Sequence, residues 1–182
     1  IFYKIFVNLQ RFGFDILPRH FYSEIPDIKF LKNSNNWKLP FDMKYIKGSK
    51  ISLQIKNMKS IMDQNIVEEL SNRKIWTEAC KKTRETGFGK IEAEFLYAFI
   101  IKYKPKEIYQ IGCGVSTEIC LQASKKIGSQ INIVCIEPFP SDFLKSRQRS
   151  GEINLIEEKL QDIEKKFIHE KISNMKRNSL FF

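Results

Sequence analysis

A chain of 182 residues, 42% hydrophobic and 13% aromatic, is long and apolar enough to fold as one domain with an extra N-terminal layer. That balance excludes a disordered or low-complexity polypeptide. The formal net charge of +10 comes from scattered lysines such as Lys56, Lys81, Lys125 and Lys165. No arginine-rich strip interleaved with aromatics accompanies them, so a solvated basic surface is favoured over a nucleic-acid groove.

Cys80, Cys113, Cys120 and Cys135 form no Cys-x-x-Cys pair and have no neighbouring histidine. This argues against zinc and against a disulfide framework, and for reduced thiols in a cytoplasmic protein. No uncharged apolar run reaches the roughly 18 residues of a membrane span. The opening IFYKIFVNLQRFGF carries Lys4 and Arg11 and lacks a small-residue cleavage site, so it makes a poor signal peptide. A first residue of Ile and a last stretch of Leu180, Phe181 and Phe182 in mid-strand read as a fragment cut at both ends.

Taken in order, Phe2, Ile5, Leu9 and Phe12 predict a short amphipathic helix within residues 2–14. Helix signals lapse over LPRHFYSEIPDIKFLKNSNNWKLP, where Pro18, Pro26 and Pro40 punctuate an aromatic-rich loop that wraps the domain or lids a site. Ile51, Ile55, Met58, Met62, Ile66 and Leu70 recur at three or four residues and predict one long helix over 49–70. Further helical turns are expected over 75–82, then a glycine loop, RETGFGK. A helix from Ile91 carries Phe95, Leu96, Phe99 and Ile100 towards the core until Pro105 stops it.

The centre of the chain is KEIYQIGCGVSTEICLQASKKIGSQINIVCIEPFP. It predicts a strand over 108–111, a turn at Gly112, Cys113 and Gly114, a helix opening at Ser116 or Thr117, and a second strand over 131–136. A short helix over 142–147, a third strand over 153–156, a helix over 164–175 and a fourth strand starting at SLFF complete the pattern. Strands alternating with helices mean an α/β fold. The expected form is an incomplete Rossmann-like parallel sheet of order 3-2-1-4 with helices on both faces. The domain boundary is expected between an N-terminal helical and loop extension, 1–82, and the sheet domain, 83–182.

A helix entered from a glycine turn offers backbone N–H groups and the positive end of its dipole to a ligand. Gly112 and Gly114 would let the backbone approach that ligand closely. The dinucleotide fingerprint Gly-x-Gly-x-x-Gly is broken, because its third glycine position is Thr117. Ser116 or Thr117 also suits a helix cap. Glu137 lies 23 positions after Gly114, at the carboxyl end of the second strand. A carboxylate there can accept both hydroxyls of a ribose. Pro138 and Phe139 would give an apolar face to a purine, and Asp162, after the third strand, could accept from its amino group.

The runs IYQIGCGVST, IEPFPSDFL and KLQDI resemble the class I S-adenosylmethionine-dependent methyltransferases. They are most similar to a bacterial branch with a Ser-Thr glycine turn and an Ile-Glu-Pro-aromatic-Pro second strand. The likeness extends back through GFGKIEAEFLYAFI and, more loosely, to LPRHFYSEIPD. It implies that Gly112 and Gly114 flank the methionine of S-adenosylmethionine, that Glu137 holds its ribose, and that Gln161 and Asp162 lie near adenine. Two departures stand out. Such proteins usually carry an acid where this chain has Gln110, and the active-site segment after the fourth strand is absent.

His20, His169, Tyr22 and Tyr97 read as structural before they read as catalytic. No catalytic base is assigned. The expected activity is methyl transfer to a small-molecule or sugar acceptor. Alternatives are an inactive cofactor-binding or interaction module, a nucleic-acid methylase, and an NAD-dependent oxidoreductase.

Overall fold

The sheet grows from two apolar runs. Strands β1 (Glu107–Ile111) and β2 (Asn132–Ile136) pair in parallel, with Gln110 opposite Cys135 and Ile111 opposite Ile136. Ile108, Tyr109 and Gln110 are buried in succession. Because successive strand residues point to opposite faces, both faces of β1 are covered, as a parallel sheet requires. Strand β3 (Asn154–Ile156) adds to β2, and β4 (Ser179–Phe181) adds to β1, both in parallel. The order is β3-β2-β1-β4, an α/β Rossmann-like arrangement.

The computed structural model describes residues 2–14, 28–33, 38, 48, 50–72, 74–160, 162–163 and 178–182. They divide into two units, Ile1–Gly48 and Ser49–Phe182. The first holds α1 (Phe2–Gln10) and α2 (Ile28–Asn33). The second is a different matter, because it holds the sheet and six helices among the described residues.

In that unit α3 (Ile51–Ile61), α4 (Gln64–Asn72) and α5 (Ile75–Thr83) precede α6 (Lys90–Tyr103). Helix α7 (Val115–Ile127) joins β1 to β2, and α8 (Asp142–Arg149) leads into β3. Helices α5 and α6 both pack on α7, whose Val115, Ile119, Cys120, Leu121 and Ala123 are buried. That packing draws residues 51–83 into the sheet unit. The two units meet in sequence at 48/49.

Two sequence expectations need correction. The long helix over 49–70 is two helices, because Met62 leaves helical geometry and the Asp63 carboxylate accepts the Ile66 N–H at 3.0 Å, capping α4. Of its apolar stripe, Ile66 and Leu70 enter the core and Met62 packs half-buried against it, while Ile51, Ile55 and Met58 are exposed; Ile61, outside the stripe, is buried as well. A short helix, α2, forms in the stretch where helix signals lapse. On α6 the fully buried positions are Ala93, Tyr97, Ala98 and Ile100, with Phe95, Leu96 and Phe99 half-buried against them. Tyr97 is a core residue whose hydroxyl donates to Glu69 Oε1 at 2.9 Å. His20, Tyr22, His169 and the helix expected over 164–175 lie outside the described residues.

Candidate functional site

Strand β1 delivers the chain to its turn with Gln110 buried at 1% exposure. Both ends of the Gln110 amide are bonded within the turn. Its Nε2 donates to Ser116 Oγ and, at 3.4 Å, to the Gly112 carbonyl, while its Oε1 accepts from Thr117 Oγ1 at 3.0 Å. The Thr117 oxygen in turn accepts the Gly114 N–H at 3.2 Å. Gly114 is the N-cap of α7, so Thr117 reaches back from the third helical position and satisfies a backbone donor that a helix start leaves unpaired. Ser116 and Thr117 are buried, and their side chains serve this internal network.

Gly112 has φ +73°, a left-handed conformation that costs an L side chain about 1–2 kcal/mol. A Cβ there would meet nothing within 4 Å, so strain is the whole cost. Gly112→Ala should accordingly lower the unfolding free energy by about 1 kcal/mol in a urea titration. An unchanged midpoint would show that the turn relaxes. The Gly112 N–H donates to the Ile136 carbonyl at 3.1 Å, which ties the turn to the end of β2.

Glu137 follows directly on β2. It is 8% exposed, and both carboxylate oxygens are anchored. Oε2 accepts the Cys113 N–H at 3.2 Å, and Oε1 accepts the Phe139 N–H at 3.0 Å. A carboxylate has about four lone-pair positions, so each oxygen keeps one for a further donor. Pro138 is half-buried and the Phe139 ring is 51% exposed at the rim.

The Cys113 thiol lies 3.7 Å from the Gln110 carbonyl and 3.9 Å from that of Ile136. A hydrogen bond with Cys135 and burial together push it well above the ordinary thiol range, so it stays protonated and unreactive. Burial likewise pushes Cys120 up.

The structure thus brings Gln110, the glycine turn, the start of α7 and Glu137 into one place. Asp162 is exposed in a turn, its N–H donating to the Lys159 carbonyl at 2.9 Å. Gln161 lies outside the described residues. A cleft of about 350 Å³ lined by Met62, Leu70, Lys74, Trp76 and Glu94 shares no residue with the glycine turn.

One acid at the site escapes sequence reasoning. Glu85, in the loop between α5 and α6, places its Oε2 where a Cβ on Gly114 would stand. It is half-buried. Burial raises its pKa, as does the nearby Glu137, while the Ser141 hydroxyl pulls the other way. A single acid between Arg84 and Thr86 in a glycine loop carries no periodic or motif signal.

No family model matches the chain. An uncharacterized protein of Archaeoglobus fulgidus is 31% identical over 164 residues, which span 82% of this chain and 71% of that protein. Among solved structures, the SAH-bound Podospora anserina methyltransferase PaMTH1 is similar at 16% identity and a TM-score of 0.36. That match covers 68% of this chain and 53%, about half, of the other. So loose a superposition leaves the fold assignment to the strand order itself.

Proposed function

From the premise that the chain belongs to one family with the uncharacterized Archaeoglobus fulgidus protein, we propose that it binds S-adenosylmethionine and transfers its methyl group to a small-molecule or sugar acceptor. The observation that carries this reading is the anchored Glu137 carboxylate beside the glycine turn. Two backbone amides fix its orientation, burial strengthens any bond it makes, and its spare lone pairs suit the two hydroxyls of a ribose.

The rest of the site fits the same ligand. The turn gives the methionine a route close to the backbone at Gly112 and Gly114. Gln110, Ser116 and Thr117 hold that backbone in shape rather than touching the cofactor. Phe139 and Pro138 offer an apolar edge to adenine, with Gln161 and Asp162 as candidates for its polar edge. Thr117, which fills the third glycine position and is buried, disfavours an NAD pyrophosphate seat. S-adenosylmethionine supplies an electrophilic methyl on a sulfonium. The chain's share is to position that methyl and exclude water.

Isothermal titration with S-adenosylhomocysteine tests the reading. One-to-one saturable binding is expected, with no fluorescence change on adding reduced NAD. Saturation by reduced NAD and no heat with S-adenosylhomocysteine would overturn it.

A further inference from the structure

We propose that Glu85 is the acid that recognises the cofactor's methionine ammonium, in place of the neutral Gln110. This rests on the cofactor reading above and adds to it a residue and a charge.

The first observation is positional. The Glu85 carboxylate lies directly over the second glycine of the turn, where a Cβ on Gly114 would displace it. The second is electrostatic. Glu85 and Glu137 stand near enough to repel each other, and among the described residues no lysine or arginine pairs with either. Two carboxylates facing one turn concentrate negative charge there, in a chain whose net charge is +10. A ligand with a ribose for one acid and an ammonium for the other complements that arrangement.

The third observation concerns Gln110. Both ends of its amide are bonded inside the turn, and a neutral amide brings no charge to an ammonium. Local backbone geometry shows how Glu85 is delivered. Arg84 closes α5 in a left-handed conformation, φ 62°, with its N–H on the Cys80 carbonyl at 2.8 Å. Such a conformation is unfavourable for a residue other than glycine, and here it turns the chain so that the next residue enters over Gly114. The Glu85 N–H then donates to Thr83 Oγ1 at 3.3 Å, and Thr83 itself is held by the Ala79 carbonyl at 3.0 Å.

The test compares S-adenosylhomocysteine with methylthioadenosine, which keeps the nucleoside and lacks the amino acid. Both are titrated into the parent and into Glu85→Gln. The variant should bind S-adenosylhomocysteine at least about tenfold more weakly, and methylthioadenosine as the parent does. Its Tm should hold or rise, because it removes a charge repelled by Glu137. Glu85→Asp, which keeps the charge, should recover part of the affinity. Equal S-adenosylhomocysteine affinity in parent and Glu85→Gln would overturn the proposal. So would a Tm loss with both ligands weakened alike, since that marks Glu85 as a counter-charge for the α7 N-terminus alone. A parent that binds neither ligand would overturn the cofactor reading, and this inference with it. In that case the variants are not needed to tell the two failures apart.

Discussion

Arg147→Met is expected to lower the unfolding free energy by about 2–4 kcal/mol, read from urea or thermal unfolding. The reason is Glu118, a carboxylate on the first turns of α7 that is only 2% exposed. Its Oε1 is 2.5 Å from Lys82 Nζ and its Oε2 is 3.6 Å from Arg147 Nη2. Lys82 is 46% exposed and Arg147 only 24%, so Arg147 shields the carboxylate within the protein while Lys82 caps it from solvent. Arg147 also donates to Glu152 Oε2 at 2.8 Å and stacks its guanidinium 5.1 Å over the Phe143 ring. Taking it away leaves Glu118 buried with one exposed counter-charge, Lys82, and a long neutral bond from Gln122 Nε2 at 3.4 Å. Lys82→Met should cost less, about 1 kcal/mol, because exposed pairs contribute little. Adding Glu118→Gln to Arg147→Met should recover part of the loss, since a neutral buried amide needs no counter-charge. Full additivity of the two losses would contradict this network.

The same network sets an acid limit. Burial opposes ionisation of Glu152, but hydrogen bonds from Arg147, Ser150 and Lys125 outweigh it and hold the carboxyl at about 2. A depressed carboxyl contributes stability that is present above its unfolded value of about 4.3 and is lost as pH falls through its folded value. The parent should therefore shed this contribution between about pH 4 and pH 2. In Arg147→Met the acid-dependent part should shrink.

Glu137→Ala is the second large effect. It removes the acceptor for the Cys113 and Phe139 N–H groups, so the turn keeps its Gly112–Ile136 backbone bond and loses the second tie, from Cys113, to the end of β2. It also removes the proposed ribose ligand. S-adenosylhomocysteine affinity should fall by roughly 10–100-fold, the worth of a charge-assisted hydrogen bond or two. Stability should change less, by about 1 kcal/mol, because both amides lie at a turn that water can reach once the carboxylate is gone.

What the sequence announces and what it hides follow from the range of the forces involved. Strand order 3-2-1-4 is written locally. The near-continuous apolar runs of β1 and β2, the glycine turn between β1 and α7, and the helix-length spacers leave a parallel sheet as the consistent arrangement. The break at Met62 and Asp63 is less visible, because the apolar spacing runs through it while a side-chain cap ends one helix and starts the next. Periodicity also cannot tell which stripe finds a partner, so Ile51 and Ile66 look alike in sequence and differ in burial. Longest in range are the charge placements. Glu118 meets Arg147, and Glu85 meets Gly114, only once α5, α7 and α8 have packed. No local pattern encodes those encounters.

The most direct measurement titrates the parent and Glu137→Ala with S-adenosylhomocysteine and with its deoxyribose counterpart. If the anchored carboxylate grips the sugar, removing the hydroxyl should weaken the parent about tenfold and the variant hardly further. A Glu137→Ala protein that binds S-adenosylhomocysteine as tightly as the parent would contradict the account.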